Sequence, residues 1–148
     1  MKLPDKIKKG ENRTIEFKLD LPEGDQFSRT VVAFANGAGG EILIGIDDKG
    51  NVKGLTEDQI NNYPDRIASI ISDTCYPIVV PDILRTSIDD KPVIIVKIYP
   101  GSAKPYYIKK SGIGKGTYIR IGAINKLADS NALRELERQR NNISFDEE

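Results

Sequence analysis

The sequence has no histidine and a single cysteine, Cys75. Without histidine the commonest general base and zinc ligand is missing, so Ser-His catalysis and histidine-bound zinc are excluded. One cysteine can form no internal disulfide, and it has no Cys or His companion for a metal site. Long apolar runs are missing as well. The segments Ile42 to Ile46 and Pro92 to Ile98, the second interrupted by Lys97, fall far short of the roughly 20 residues that cross a bilayer. The basic start Met1-Lys2-Leu3-Pro4-Asp5-Lys6 has no apolar segment or small-residue cleavage site behind it, so a cytoplasmic location is expected and no membrane partner. Nor is either sign of charge in excess. With 22 basic and 22 acidic residues, the chain is not one whose whole surface attracts nucleic acid.

What the chain does contain is the material of one folded domain. Its 148 residues are enough to bury roughly two-thirds of the unfolded surface. Apolar residues at 39% and charged residues at 30% give an ordinary globular balance. The neutral total conceals a polarised distribution. Between Asp90 and Asp129 there is no acidic residue, yet Lys91, Lys97, Lys104, Lys109, Lys110, Lys115, Arg120 and Lys126 all lie there.

Periodicity lays out the elements. Ile15 and Phe17 alternate with Glu16 and Lys18, the pattern of a half-buried strand over Thr14 to Leu19. Phe27, Val31, Phe34 and Ala35 recur at helical spacing from Asp25, a candidate N-cap, to Asn36. Glu41 to Asp47 is a continuous apolar run suited to a central strand buried on both faces, followed by a turn and a short strand at Val52 to Leu55. Thr56 and Gln59 fit a capping box. The helix behind them carries Ile60, Tyr63, Ile67, Ile70 and Ile71 on one face, with Pro64 expected in its first turns or as an interruption. Ile83 to Ile88 and Pro92 to Ile98 read as a β-hairpin about Asp89-Asp90. Tyr106 to Ile108 and Thr117 to Ile121 read as another about a glycine-rich turn. A polar last helix over Ser130 to Asn142 offers Leu133 and Leu136 as its apolar contacts. Mixed rather than strictly alternating order favours α+β, with a largely antiparallel sheet and two to three packed helices.

Two glycine clusters invite a nucleotide-binding reading. Asn36-Gly37-Ala38-Gly39-Gly40 follows a helix and precedes a strand, the reverse of a phosphate cradle, so a helix C-cap with Asn36 or Gly37 left-handed explains it better. In Gly112-Ile113-Gly114-Lys115-Gly116-Thr117 the lysine is followed by glycine, and the position six before it, where the P-loop has its first glycine, is Lys109. The P-loop pattern fails, and a hairpin tip is expected instead.

The specific information lies in ordered blocks: Glu11-Asn12-Arg13-Thr14-Ile15-Glu16-Phe17-Lys18, then Ala33-Phe34-Ala35-Asn36 through Gly39-Gly40 to Asp47-Asp48, then Gly54-Leu55, Lys104-Pro105-Tyr106-Tyr107 and Tyr118-Ile119-Arg120-Ile121-Gly122. This combination resembles the Schlafen AlbA-type domain, also called the divergent AAA domain. The resemblance runs from about Glu11 to about Phe145. It implies a mixed α/β core and, for bacterial members, a DNA-binding module of a transcriptional regulator. It divides the chain into an N-terminal extension at 1–10, the domain at 11–128, and a connector helix and tail at 129–148 that is expected to lead to a winged-helix region. One departure is the run Ile121-Gly122-Ala123-Ile124-Asn125, where the family tends to place a serine-threonine pair after the glycine.

Physical reading and resemblance meet at the basic segment. Lysines on a hairpin can track phosphates, and tyrosines beside them can stack on bases or fill the core. The candidate nucleic-acid contacts are Lys104, Lys109, Lys110, Lys115, Arg120 and Tyr107, with DNA as the expected partner and no cofactor. The resemblance also implies an alternative, because some eukaryotic Schlafen relatives are nucleases using acidic groups. The matching positions are Glu11 and Glu16 with Asp48, or its neighbour Asp47, which together would hold Mg²⁺ or Mn²⁺ through oxygen. A third expectation is a homodimerisation or ligand-sensing module.

Overall fold

The computed structural model describes residues 2–146. It is an α+β fold built on a mixed four-stranded sheet. Strand β1 (Ile15–Lys18) runs parallel to β2 (Gly40–Ile44), with Ile15 beside Glu41 and Lys18 beside Ile44. The intervening helix α2 (Gln26–Asn36) makes the crossover. Strand β5 (Lys91–Ile98) is antiparallel to β2, and β4 (Asp82–Ile88) closes the order β1-β2-β5-β4. Asp89 and Asp90 both have positive φ, 50° and 63°, as the two central residues of the tight β4–β5 turn require.

The apolar run of β2 is buried on both sides, as its composition implies. Ile42 and Ile44 meet α2 and helix α3 (Glu57–Thr74) in one cluster with Phe27, Val31, Phe34, Ile67 and Ile71. Leu43 and Ile46 join Phe17, Val93 and Ile95 on the opposite face. That face is covered by helix α1 (Leu3–Lys9), which seats Ile7 against it and ends at Gly10 with φ +81°. A helix here was not expected. Two apolar residues four apart, Leu3 and Ile7, are too few to register as a periodic face.

Helix α3 begins with the expected capping box between Thr56 and Gln59. Pro64 stands in its interior rather than in its first turns, and the helix continues through it. A proline there frees the carbonyl four residues back, that of Ile60. Arg85 on β4 donates its Nε–H to that oxygen at 3.0 Å, so the lost helical bond is replaced from the sheet.

The C-terminal half departs from the expected second hairpin. Strand β3 (Cys75–Tyr76) pairs with β6 (Tyr107–Ile108), and β7 (Tyr118–Ile121) pairs with β8 (Ile124–Leu127) through a two-residue turn at Gly122-Ala123. Only a single bridge, Tyr107 to Thr117, joins the two segments expected to pair. Lys109–Ser111 forms a 3₁₀ turn and Gly112–Gly116 a short helix, α4. Gly116 packs so closely on Ile108 that a Cβ would lie 2.7 Å from its carbonyl oxygen, and Thr117 Oγ1 donates back to Ile113 O at 2.7 Å. Coiling therefore satisfies the segment locally, and β7 takes its partner from the residues after it. The expected strand at Val52 to Leu55 reduces to one bridge, Ile46 to Val52. The last helix, α5 (Ser130–Asp146), starts where the sequence places it, with Asp129 Oδ1 accepting from Ala132 N and Leu136 buried.

The glycines after α2 turn the chain into β2, as a C-cap does. The left-handed residue is Gly39, φ +77°, not Asn36 or Gly37. A Cβ at Gly39 would meet Ile98 O at 2.6 Å, and one at Gly40 the Phe34 ring at 2.7 Å. Asn36 is instead the buried last residue of the helix. Its Nδ2 donates to Tyr106 O and Tyr118 O at 2.8 and 2.9 Å, and its Oδ1 accepts from Tyr106 N at 2.7 Å. Replacing Asn36 by Ala removes the partner of two buried backbone groups, Tyr106 N and O, and of the part-buried Tyr118 O, and an unmade buried bond costs about 1–3 kcal/mol. Urea unfolding of Asn36→Ala should show a loss of about 3 kcal/mol; a loss below about 1 kcal/mol would show that water replaces the amide.

Candidate nucleic-acid interface

A closed ring of hydrogen bonds at the edge of the sheet organises the region in which the sequence places its candidates. Arg120 on β7 donates Nη1–H to Glu16 Oε1 of β1 and to Asn125 Oδ1 of β8, each at 2.9 Å. Asn125 Nδ2 donates to Thr30 Oγ1 of α2 at 2.8 Å, and Thr30 Oγ1 donates to Glu16 Oε2 at 2.8 Å. Arg120 also donates to the backbone oxygens of Asn12 and Ile15, and its guanidinium lies 5.0 Å from the centre of the Phe34 ring. Its side chain is only 2% exposed.

Two of the six candidate contacts are buried. Arg120 points inward. Lys104 is buried too, with its ammonium donating to Gln139 Oε1 of α5 at 2.9 Å and its pKa lowered by burial. Both side chains brace packed elements, and a count of basic residues along the chain has no means of separating them from surface lysines. Tyr107 is half-buried, its ring tilted against Tyr76 with centroids 5.6 Å apart. The remaining three, Lys109, Lys110 and Lys115, are exposed on the connector formed by the 3₁₀ turn and α4.

The connector lies beside the first turn of α2. Lys110 Nζ is 3.1 Å from the Asp25 carboxylate, which makes no capping bond of its own. The next residues of that turn, Gln26 and Arg29, wall a cleft of about 300 Å³ that is also lined by Glu16, Lys18, Tyr118 and the Ala123–Asn125 segment. The Arg29 guanidinium rests 5.2 Å from the centre of the Tyr118 ring. Lys18 and Arg29 are residues that the basic-window reading missed. Neither falls in the acid-free stretch, and only the crossover of α2 brings them to it.

The acidic candidates divide. Glu11 and Glu16 come together, with Lys18 Nζ 3.4 Å from Glu16. Burial raises the Glu11 carboxyl above its ordinary value, reinforced by the neighbouring Glu16 charge and opposed by the bond it accepts from Phe17 N. Burial also acts to raise Glu16, but the bonds from Thr30 and Arg120 and the charges of Lys18 and Arg120 hold it below the ordinary value. Asp47 is elsewhere. Its carboxylate accepts from Lys49 N and Asn51 N at 3.0 and 2.8 Å, the chemistry of a turn, and those bonds lower its pKa. Asp48 is exposed beside it. Among the described residues no three acidic side chains form a group able to hold a metal ion, so the trio does not make a carboxylate cage for Mg²⁺ or Mn²⁺.

An α+β domain of this topology, with a polar cleft at the β1 edge, matches a known class. The chain belongs to the Schlafen AlbA_2 family, whose model matches residues 11–129. Among solved structures it is similar to the N-terminal domain of a RecG-related protein from Nitrosomonas europaea, named for an ATP-dependent DNA helicase. The identity is 27% and the TM-score 0.62, over 86% of this chain and 91% of that one. It shares its fold with the DIP2311 protein from Corynebacterium diphtheriae at 22% identity and TM-score 0.62, over 85% of this chain and 27% of the other. No curated protein matches the chain.

The Glu11 shift carries a sign that can be checked. A carboxyl whose folded pKa is raised contributes stability below its ordinary value, near 4.5, and loses it as pH rises through the folded value. Ionised Glu11 is thus unfavourable at neutral pH. Glu11→Gln, which keeps an oxygen for Phe17 N, should melt above the parent at pH 7, with the difference vanishing below about pH 4. Equal or lower melting at pH 7 would contradict the shift.

Proposed function

We propose that this chain is a nucleic-acid-binding domain of a cytoplasmic bacterial transcriptional regulator, contacting DNA through the cleft at the first turn of α2 and the lysine-bearing connector beside it. One observation carries this reading: cationic groups from three separate parts of the sequence gather about the first turn of α2. Lys110 is anchored by Asp25, Arg29 projects from the turn itself, and Lys18 lines the same cleft from β1. Lys109 and Lys115 extend the set along the connector. The RecG-related protein supports the reading, since it is named for work on DNA and its N-terminal domain aligns with most of this chain.

The chemistry of the surface indicates how such contact is made. Lysine ammoniums follow phosphates as point charges and read no bases. Arg29 is held over Tyr118, which leaves it little freedom to form a bidentate pair with guanine. Binding through this face is therefore weakly sequence-specific and steeply salt-dependent.

A titration of the domain against duplex DNA, single-stranded DNA and RNA at several salt concentrations tests this. Replacing Lys109, Lys110 and Lys115 together by Ala should leave the melting temperature near the parent's. It should reduce the slope of log affinity against log salt on duplex DNA by up to about 2.7 units. Unchanged slope and affinity in a folded triple variant would remove the connector from the interface. With Mg²⁺ or Mn²⁺ in the same tubes, cleavage abolished by Glu16→Gln would replace this reading with the nuclease one.

A further inference from the structure

Helix α1 covers only part of its face of the sheet. Leu43, Val93 and Ile95 lie beneath it, but the cross-strand row one step further along, Ile15, Glu41 and Lys97, forms the floor of an open groove of about 370 Å³. The last turn of α1 makes one wall with Lys6 and Lys9, and Tyr99-Pro100 makes the other. Lys6 is consumed by an ion pair with Glu41, which cancels the only carboxylate of the lining. Lys9 and Lys97 are exposed and form no ion pair with any described residue. Two lysines without an ion-pair partner among the described residues thus line one cavity.

The wall opposite the helix adds an aromatic platform. The Tyr99 hydroxyl donates to the Asp82 carboxylate on β4, which fixes the ring, and the residue remains 47% exposed. The Lys97 ammonium stands 5.3 Å from its centre. A fixed aromatic ring in a groove that two lysines also line is the combination that receives a planar base and the phosphate attached to it. The volume lies within the usual range of ligand pockets, roughly 300–1,000 Å³.

We infer that this groove binds a nucleoside phosphate, its phosphate between Lys9 and Lys97 and its base against Tyr99. The ligand is either a free nucleotide or one unit of a single strand. The site does not depend on the interface at the first turn of α2, which uses none of these residues.

Amide-resolved NMR titration of the folded chain with adenosine 5′-monophosphate, uridine 5′-monophosphate, inorganic phosphate and a six-residue oligothymidine separates these sources. The mononucleotides should shift the amides of Ala38, Gly40, Lys97 and Tyr99. Lys9→Ala and Lys97→Ala should each weaken binding about tenfold, the scale of one charge-assisted contact. Tyr99→Leu should weaken the mononucleotides about tenfold and leave inorganic phosphate unaffected. Tighter binding of the oligothymidine assigns the site to a strand, and equal binding to a free nucleotide; both support the inference. The Lys109, Lys110 and Lys115 triple variant should bind the mononucleotides as the parent does, so that failure of either site is seen separately. No shifts at these amides at millimolar nucleotide, or phosphate binding as tight as nucleotide with Tyr99→Leu unaltered, would overturn it.

Discussion

The buried guanidinium of Arg120 is the constraint on which the rest of this structure depends. A charge taken from water costs several kcal/mol unless every donor finds an acceptor in good geometry. Here the acceptors come from distant parts of the chain: Glu16 on β1, the backbone of Asn12 and Ile15 before and within it, and Asn125 on β8. Thr30 closes the ring from α2. The crossover helix, the sheet edge and the C-terminal hairpin are thereby fixed to one another. Among the described residues no buried side-chain polar atom lacks a partner, so the circuit is complete.

Function is arranged around this fixed core rather than through it. With Arg120 holding β7 against β1, Tyr118 stands under Arg29 and Lys18 stands over Glu16 at the rim of the cleft. The ring of Arg120, Glu16, Thr30 and Asn125 is inside, while the groups proposed to meet phosphate lie at the surface, Lys110 beside Asp25 and Arg29 over Tyr118. This separation lets the basic face vary without disturbing the fold, because exposed ammoniums contribute little to stability. Asn36 plays the matching part for the connector. By clasping the backbone of Tyr106 and Tyr118, it fixes the two ends between which Lys109, Lys110 and Lys115 are carried.

Much of this was legible in the sequence where a repeating pattern carried it. The apolar run of β2, the helical face of α2, the capping box at Thr56 and the β4–β5 hairpin all follow from period and turn chemistry. The ordered blocks from Glu11 to Gly122 pointed to the Schlafen AlbA type, and the match over 11–129 shows it. Signals that depend on tertiary contact were not legible. Nothing local distinguishes buried Arg120 from exposed Lys115, nor tells a glycine-rich hairpin tip from a coil packed on Ile108. Pro64 reads as a break because its rescue, the bond from Arg85 to Ile60 O, spans 25 residues of sequence and two elements. The resemblance named Glu11 and Glu16 together with Asp47 or Asp48; Glu11 and Glu16 meet, but Asp47 is held in its own turn by bonds that the sequence does not reveal.

The most direct measurement is a double-mutant cycle on Arg120 and Glu16, following urea unfolding together with DNA affinity. Arg120→Met alone should cost about 3–5 kcal/mol by leaving Glu16 buried and unpaired, and the double variant Arg120→Met, Glu16→Leu should recover a large part of that loss. DNA affinity per folded molecule should be nearly unchanged, since the guanidinium never reaches the surface. An Arg120→Met variant that unfolds like the parent but loses DNA binding would contradict the account and return this residue to the interface.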